Sequence, residues 1–166
     1  WSHILEGATC GFADCNLSAD ALRALVVLRA RSHFHLAIDA VSASKVLRLP
    51  DDLAAVDALF LNTRQFESLG RVPNARALVL TMGPAGVDVT KDGHTTHVPA
   101  VAADPVDVTG AGDALVAGTI ARLMAGDEMV DAVRGGMLVA ALTLESTASV
   151  RADLSPQLLD EHRSRL

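Results

Sequence analysis

The residues best suited to chemistry form one short run, residues 107–113, with the sequence Asp-Val-Thr-Gly-Ala-Gly-Asp. Two glycines within three residues disfavour a helix interior, because each costs about 1 kcal/mol there relative to alanine. Helical apolar spacing begins directly afterwards, at Leu115, Val116, Thr119, Ile120, Leu123 and Met124. The sequence therefore predicts that a loop becomes a helix at residues 110–113, with Asp107 or Thr109 as its cap.

A helix that begins at glycines is a site for an anion, and phosphate is the usual one. Its first N–H groups are unpaired and carry a partial positive charge of roughly half a unit. Asp113 does not fit a simple phosphate cradle, because a carboxylate repels phosphate. Its expected task is to accept a proton from a hydroxyl that attacks phosphorus. The alternative is that these residues only cap a helix.

Two other nucleotide motifs fit the run poorly. It is not a Walker P-loop, because no Lys-Ser or Lys-Thr pair follows it. It lacks the third glycine of the dinucleotide fingerprint, and Asp104 and Pro105 precede it where that fingerprint has an apolar strand. An NAD-binding Rossmann domain is therefore disfavoured.

The elements that must position this run alternate along the chain. Apolar runs predict strands at residues 11–16, 35–39, 56–61 and 77–82, and a hairpin at 87–90 and 95–98 around Asp92-Gly93. Five helices are predicted: one from Asn16 or Ser18 to Arg31, one over residues 62–69, one directly after the central run, one that starts at Asp127, and one that starts at Ser155-Pro156. The fourth is predicted to be interrupted at Gly135-Gly136, and residues 143–152 are a predicted loop. This order predicts an α/β fold with a mostly parallel sheet.

The run Asp-Val-Thr-Gly-Ala-Gly-Asp, followed by Ala-Leu-Val-Ala-Gly, resembles the second signature of the PfkB family, the ribokinase-like sugar kinases. The resemblance implies a Rossmann-type three-layer α/β/α fold and ATP-dependent phosphorylation of a sugar or nucleoside hydroxyl. It also implies that Asp113 is the catalytic base. The backbone of Gly110, Ala111 and Gly112 would form the anion hole for the transferred phosphoryl group.

A second family segment follows the third predicted strand. The family has N-x-x-E there, where the Asn and Glu help to organise Mg²⁺ and the phosphates. Asn62 matches, but Gln65 stands at the Glu position and the nearest acid is Glu67. Gln65 can orient metal-bound water without offsetting charge, whereas Glu67 lies ~200° further round an ideal helix. Asn62 could also be only a helix cap.

Two more segments complete the site that the resemblance implies. Residues 81–86, Thr-Met-Gly-Pro-Ala-Gly, resemble the family's T-L-G-x-x-G, in which the Thr and the first Gly lie against the nucleotide phosphates. The nucleotide-binding residues assigned in this way are Thr81, Gly83 and Gly86, with Thr109 from the central run. Asp107 and carbonyl groups near Ser149 are implied to hold a monovalent cation such as K⁺. Glu145-Ser146 stands where the family's loop usually carries a glycine.

Residues 14–17 (Asp-Cys-Asn-Leu) and the run from Asp39 to Lys45 resemble stretches of pseudouridine kinase-like members, with Ala40 in place of a proline. They favour pseudouridine as the substrate and leave ribose, another nucleoside or a phosphosugar open. The resemblance covers residues 1–166 as a single domain fragment, the carboxyl-terminal half of the family fold. The first glycine-rich signature of the amino-terminal half is not found, so the alternative is a catalytically impaired nucleotide-binding or assembly module.

Composition narrows the classes of partner. Half of the 166 residues are hydrophobic and the net charge is −6 without a long basic run, which disfavours nucleic-acid binding. No apolar stretch reaches the ~18–20 residues of a membrane span. Cys10 and Cys15 are expected to be free thiols, and the start of the chain lacks a signal-peptide pattern, so a cytoplasmic location is expected. Because the first residue is Trp1 and not Met, we expect a fragment or a processed product. Because the family's amino-terminal half is not found, we expect a homodimer or pairing with that half.

Overall fold

The computed structural model describes residues 7–166, which divide into two compact units. The first unit contains the described residues up to Gly83 together with Val87–His97. The second contains Pro84–Gly86 and Val98–Leu166.

The first unit is built on a six-stranded sheet whose strands are neighbours in chain order. The strands are β1 (Cys10–Asp14), β2 (His35–Asp39), β3 (Ala58–Asn62), β4 (Ala77–Thr81), β5 (Val87–Lys91) and β6 (His94–Val98). β1 to β4 pair in parallel, and β5 runs antiparallel to β4. The predicted α/β fold with a mostly parallel sheet is confirmed.

Sequence pattern explains the strand types. β3 carries the consecutive buried residues Leu59, Phe60 and Leu61, the continuous apolar run of a parallel strand covered on both faces. The predicted tight turn between β5 and β6 is confirmed, because Asp92 and Gly93 have φ values of 52° and 77°. Positive φ at both positions is the signature of a type I′ hairpin turn.

Two helices belong to the first unit, α1 (Ala19–Ala30) and α2 (Thr63–Leu69). Of the two caps predicted for α1, the structure uses Ser18, whose Oγ accepts the Ala21 N–H at 3.2 Å. The helix buries one apolar face in a core shared with β1 to β4, formed by Leu22, Leu25, Val26, Leu36, Ile38, Leu59, Leu61 and Leu78 among others. Cys10 and Cys15 are free thiols, and burial, followed by the charges of Asp39 and Asp14, raises the pKa of Cys15 to about 12.

A buried ion pair ties the end of α1 to the sheet. The Arg29 guanidinium donates to both carboxylate oxygens of Asp57, at 2.9 and 3.0 Å, and Asp57 also accepts from the Leu36 N–H and from Arg76. Burial alone would raise the pKa of Asp57. The hydrogen bonds from Arg29 and Leu36, with the charges of Arg29 and Arg76, outweigh it and hold this pKa below its ordinary value.

We expect Asp57→Asn to lower the free energy of unfolding by about 2–4 kcal/mol at neutral pH, because it leaves Arg29 buried without its carboxylate. A carboxyl whose pKa is lowered by folding contributes stability above its unfolded pKa, and this contribution is lost as the pH falls through the folded pKa. Wild type should therefore lose more stability than Asp57→Asn between pH 7 and about pH 2. Urea titrations check this, with Asp20→Asn, which breaks an exposed pair with Arg23, as the control. Equal acid sensitivity in wild type and Asp57→Asn contradicts the prediction.

The second unit contains α3 (Ala111–Met124), α4 (Met129–Leu144) and the short α5 (Pro156–Glu161). The predicted interruption of α4 at Gly135-Gly136 is wrong, because the helix is continuous there. Gly136 instead allows α4 to pack closely against α3. A Cβ on Gly136 would lie 2.5 Å from the Leu115 carbonyl oxygen, and one on Gly118 would lie 2.9 Å from the Gly136 Cα.

Gly136→Ala should destabilise the second unit by about 1–3 kcal/mol, since overpacking against backbone outweighs the gain of about 1 kcal/mol in helix propensity. The matched control is Gly135→Ala, whose new Cβ would lie 2.8 Å from Arg122 Cγ, a side-chain atom that can move more easily than the Leu115 carbonyl. We expect the control to stay within about 1 kcal/mol of wild type. Thermal and urea unfolding of both variants checks this, and a Gly136→Ala variant as stable as Gly135→Ala contradicts it.

Two boundaries in the second unit differ from the sequence prediction. Asp127 does not cap α4; the cap is Glu128, and the Asp127 carboxylate pairs with the Arg122 guanidinium at 2.5 Å. The predicted loop at 143–152 begins later, because α4 continues through Leu144. The cap of α5 is as predicted, with Ser155 Oγ accepting the Leu158 N–H at 3.2 Å and Pro156 in the first turn. Within residues 7–166, none of the helices is long and apolar enough to cross a membrane.

Candidate functional site

The candidate anion site of the second unit is the start of α3. Its N-cap is Gly110, in the left-handed conformation with φ 83°, and no side chain caps the first N–H groups. The prediction that Asp107 or Thr109 caps the helix is therefore wrong. Gly110 is required for a second reason, because a Cβ there would overlap the carbonyl oxygen of Ser149. No side chain therefore occupies the first amides of α3, and the Ala111 N–H donates only a long backbone hydrogen bond, at 3.5 Å, to the Val108 carbonyl.

Asp107 shapes the turn that leads into α3. Its Oδ1 accepts the Thr109 N–H at 2.8 Å. Hydrogen bonds from the backbone and side chain of Thr109 hold the pKa of Asp107 below its usual range. The N–H groups of Val106 and Asp107 both donate to the Leu144 carbonyl, at 2.7 and 3.2 Å. The end of α4 therefore anchors the segment that enters the site.

The other predicted residues of the second unit fall into two groups. Asp113 lies in the first turn of α3 and is exposed, and a Cβ on the neighbouring Gly112 would meet nothing within 4 Å. The structure brings Ser149 against Gly110 and joins Asp107 to Thr109, as described above. Gly86 is different: it is buried at φ 97°, and a Cβ there would overlap the Val98 carbonyl oxygen. Its contact is thus with its own unit's backbone.

In the first unit, the predicted residues meet at the carboxyl ends of β3 and β4. Asn62 and Thr81 are register partners on these two strands. Asn62 and Gln65 form a reciprocal capping box, in which Asn62 Oδ1 accepts the Gln65 N–H at 3.0 Å and Gln65 Oε1 accepts the Asn62 N–H at 2.7 Å. Gly83 follows β4 in the left-handed region, with open space where a Cβ would stand.

The capping box bears on how these residues could serve a metal ion. The side-chain oxygens of Asn62 and Gln65 each already accept a hydrogen bond, but Gln65 is 5% exposed whereas Asn62 and Glu67 are exposed. The donor set therefore fits a role for Asn62 better than one for Gln65. Within residues 7–166, no group of three or more His, Cys, Asp or Glu side chains could hold a metal ion by itself.

The two runs that resemble pseudouridine kinase-like members are connected through side chains. Asn16 donates from its N–H and its Nδ2 to the Asp14 carboxylate, both at 2.9 Å, and Lys45 Nζ donates to Asn16 Oδ1. Asp14 is the last residue of β1, Asn16 follows it, and Lys45 follows β2. Val41, between β2 and Lys45 in the chain, has φ 63°, a conformation that β-branched residues rarely adopt.

The profile of the pfkB family carbohydrate kinases matches residues 7–155. The chain belongs to this family. Its similarity to the pseudouridine kinase of Escherichia coli (strain K12) is 29% identity over 161 residues, covering 86% of this chain and 51% of that protein. In structure it is similar to a carbohydrate kinase from Agrobacterium tumefaciens, with a TM-score of 0.85, 26% identity and coverage of 99% of this chain and 57% of that one.

A third similar protein is the ribokinase from Cryptococcus neoformans var. grubii serotype A, solved in complex with ADP. The TM-score is 0.79 at 15% identity, with coverage of 95% of this chain and 61% of that one. The fold is thus ribokinase-like. The chain spans about half the length of the pseudouridine kinase and about three fifths of these solved kinases.

Sequence reasoning missed the side chains that brace the site of the second unit. Arg165 binds both Glu145 carboxylate oxygens, at 2.6 and 3.2 Å, and also the Ala102 carbonyl. Arg151 donates to the Leu142 carbonyl at 2.9 Å. Arg165 is separated from Ala102 by 63 residues, so no local pattern could have indicated this contact.

Proposed function

We propose that this pfkB family chain takes part in ATP-dependent phosphorylation of a sugar or nucleoside hydroxyl. The observation that carries the proposal is the start of α3. There Gly110 leaves the first helix amides without side-chain caps, and an exposed carboxylate, Asp113, stands in the first turn. Amides of this kind stabilise charge on a phosphoryl group, and a carboxylate at this point can accept a proton from the attacking hydroxyl.

In the second unit, we assign the hydroxyl proton to Asp113 and the developing phosphoryl charge to the N–H groups of Gly110, Ala111 and Gly112. Positioning supplies most of the effect of such a site, because little covalent chemistry is left to the protein in phosphoryl transfer. Thr109 would contact the nucleotide beside these amides.

A monovalent cation such as K⁺ is a further part of the proposal for the second unit. Its ligands would be Asp107 and the carbonyl of Ser149, which lies against Gly110.

In the first unit, we assign contacts with the nucleotide phosphates to Thr81 and Gly83, where the open space at Gly83 permits close approach. Gly86, of the second unit, stays in the proposed nucleotide-binding set, and its close packing against the Val98 carbonyl supports a role in shaping the turn. Mg²⁺, when bound with ATP, neutralises charge on the phosphates. Asn62 is our choice for orienting its water, and Gln65 could join only if the capping box opened.

Pseudouridine is the substrate we favour. The support is the relation to the Escherichia coli pseudouridine kinase and the Asp14-Asn16-Lys45 connection, which lies in the two runs that resemble that subfamily. A sugar or another nucleoside is the broader class to which this proposal belongs.

One specific observation favours a second candidate, a nucleotide-binding or assembly module without turnover of its own. Gln65 stands where the family has an acid, and its oxygen is used to cap α2.

Calorimetric titration of the 166-residue chain with a non-hydrolysable ATP analogue and Mg²⁺ tests both candidates, followed by assays of ADP release with pseudouridine, ribose and other nucleosides. Binding with ADP release on a nucleoside or sugar is the expected result. Binding without turnover on any acceptor favours the module. Absence of binding contradicts both candidates for this chain.

A further inference from the structure

We propose that Arg165 is a positioning residue for the start of α3. It would fix the positions of the two segments that lead to that site. We call them the approach segment (residues 102–110) and the Ser149 loop (residues 145–153). The inference rests on the proposed function, because the site that Arg165 positions is the one assigned above to phosphoryl transfer. Arg165 itself would touch neither nucleotide nor acceptor.

The contacts of Arg165 join the two segments where they begin. Its guanidinium donates to Glu145 Oε1 at 2.6 Å and to Oε2 at 3.2 Å. The same Nη2 also donates to the carbonyl of Ala102. Glu145 is the first residue after α4 and begins the Ser149 loop, whereas Ala102 begins the approach segment. One side chain therefore fixes both segments at once.

Both segments then continue to the same point, Gly110. The approach segment is bonded to the end of α4 through the N–H groups of Val106 and Asp107, which donate to the Leu144 carbonyl. The Ser149 loop places its Ser149 carbonyl against Gly110 so closely that a Cβ would overlap it. A shift of either segment would therefore move the first amides of α3, which the proposed function requires in a fixed place.

The chemistry of the contact suits arginine in particular. Its planar fork can bind both carboxylate oxygens and still donate to a carbonyl, whereas the lysine ammonium is a point charge on a flexible stem. Arg165 also pairs the negative charge of Glu145. The side chains of Arg165 and Glu145 are 24% and 26% exposed, so the pair is partly shielded from solvent.

The sequence offers a matched control two residues away. Arg163 lies in the same short 3₁₀ turn and is exposed, and its side chain donates none of the hydrogen bonds of this cluster. Arg163→Ala removes the same charge and the same number of atoms as Arg165→Ala. A difference between these two variants therefore reports the contacts of Arg165 rather than net charge.

The test combines hydrogen exchange with calorimetry on the 166-residue chain. Arg165→Ala should speed exchange of the Val106, Asp107 and Thr109 amides, which donate the hydrogen bonds of the approach segment, by about tenfold or more, while amides in the middle of α4 keep their rates. It should weaken binding of the Mg²⁺–ATP analogue by about 10- to 100-fold. Arg163→Ala should match wild type in both measurements.

Two further variants separate positioning from general stabilisation. Arg165→Lys should fall between Arg165→Ala and wild type, because it keeps the charge but not the fork. Glu145→Gln combined with Arg165→Ala should be no worse than Arg165→Ala alone if the two side chains act as a unit.

The outcomes are distinct for the inference and for the proposed function. Unchanged exchange and unchanged affinity in Arg165→Ala overturn the inference and leave the proposed function intact. Exchange that rises across α4 as well shows a merely structural role and also overturns it. If the wild-type chain binds no nucleotide, the proposed function fails; faster exchange confined to the approach segment would then still support the placement of these segments by Arg165.

Discussion

Asp113→Asn should lower turnover by about 10²–10⁴-fold and leave the affinity for the Mg²⁺–ATP analogue within a few fold of wild type. The amide of Asn has nearly the shape of the carboxylate but cannot accept the proton of the attacking hydroxyl. The helix amides that would hold the phosphoryl group are backbone groups, so the substitution does not remove them. Steady-state ADP release, with the acceptor that the assays identify, and calorimetry on the same preparation make the comparison.

The control for this experiment is Asp131→Asn. Asp131 is the third residue of α4 and is exposed, as Asp113 is the third residue of α3. Both substitutions remove a favourable charge from a helix start, which costs about 0.3–1 kcal/mol in stability. Only Asp113→Asn should impair turnover. Equal turnover in the two variants would remove Asp113 from the mechanism.

Gly110→Ala should destabilise the second unit by about 2–4 kcal/mol and abolish measurable nucleotide binding. Two effects add. An L-residue is strained at φ 83°, which costs about 1–3 kcal/mol, and the new Cβ would overlap the carbonyl of Ser149, which is backbone and cannot rotate away. Either the Ser149 loop or the start of α3 must move. Urea unfolding and calorimetry measure the two consequences.

Substitutions at two other glycines serve as controls that distinguish backbone strain at positive φ from steric overlap of the new Cβ. Gly126, directly after the Ala125 C-cap of α3, has φ 96° with open space around a Cβ, so Gly126→Ala meets the strain alone. Gly112→Ala meets neither, because its φ is not positive and nothing lies within 4 Å. The expected order of destabilisation is Gly110→Ala, then Gly126→Ala, then Gly112→Ala. A Gly110→Ala variant no less stable than Gly126→Ala would show that the Ser149 carbonyl yields without cost.

The capping box at Asn62 and Gln65 shows where local sequence and function compete. The pattern Asn-x-x-Gln before an apolar run is a helix start in its own right, and the structure uses it as one. The same positions in the family pattern carry Asn and Glu. A Gln can close a capping box as well as a Glu can, so the start of α2 forms with a neutral side chain at this position.

The sequence alone was sufficient for the parts of this protein whose causes are local. Continuous apolar runs identify parallel strands, Asp92-Gly93 identifies a type I′ turn, and Ser18 and Ser155 identify helix starts, because each depends on residues within a few positions. The family signature was also local, and the match over residues 7–155 confirms it.

Among the local predictions that were wrong, the cap of α3 is the one that matters most for function. Asp107 and Thr109 have the right residue types for a cap, but Asp107 is used to fold the preceding turn and Gly110 takes the cap position. Gly110 can take the cap position because the backbone there is left-handed, a conformation that glycine adopts without strain. The result is a helix start whose first amides no side chain occupies, which is the feature the proposed function depends on.

Only the tertiary structure decided the contacts between residues that are far apart in the chain. These contacts join residues separated by about 20 to 60 positions. They are the Arg29–Asp57 pair, the packing of Gly136 on α3, the Ser149 carbonyl against Gly110, and the contacts of Arg165 with Glu145 and Ala102. The sequence pattern of charged and small residues does not predict which distant residue each of them contacts. Their pairing follows from where the packed strands and helices place them, and so it becomes visible only when the chain is folded.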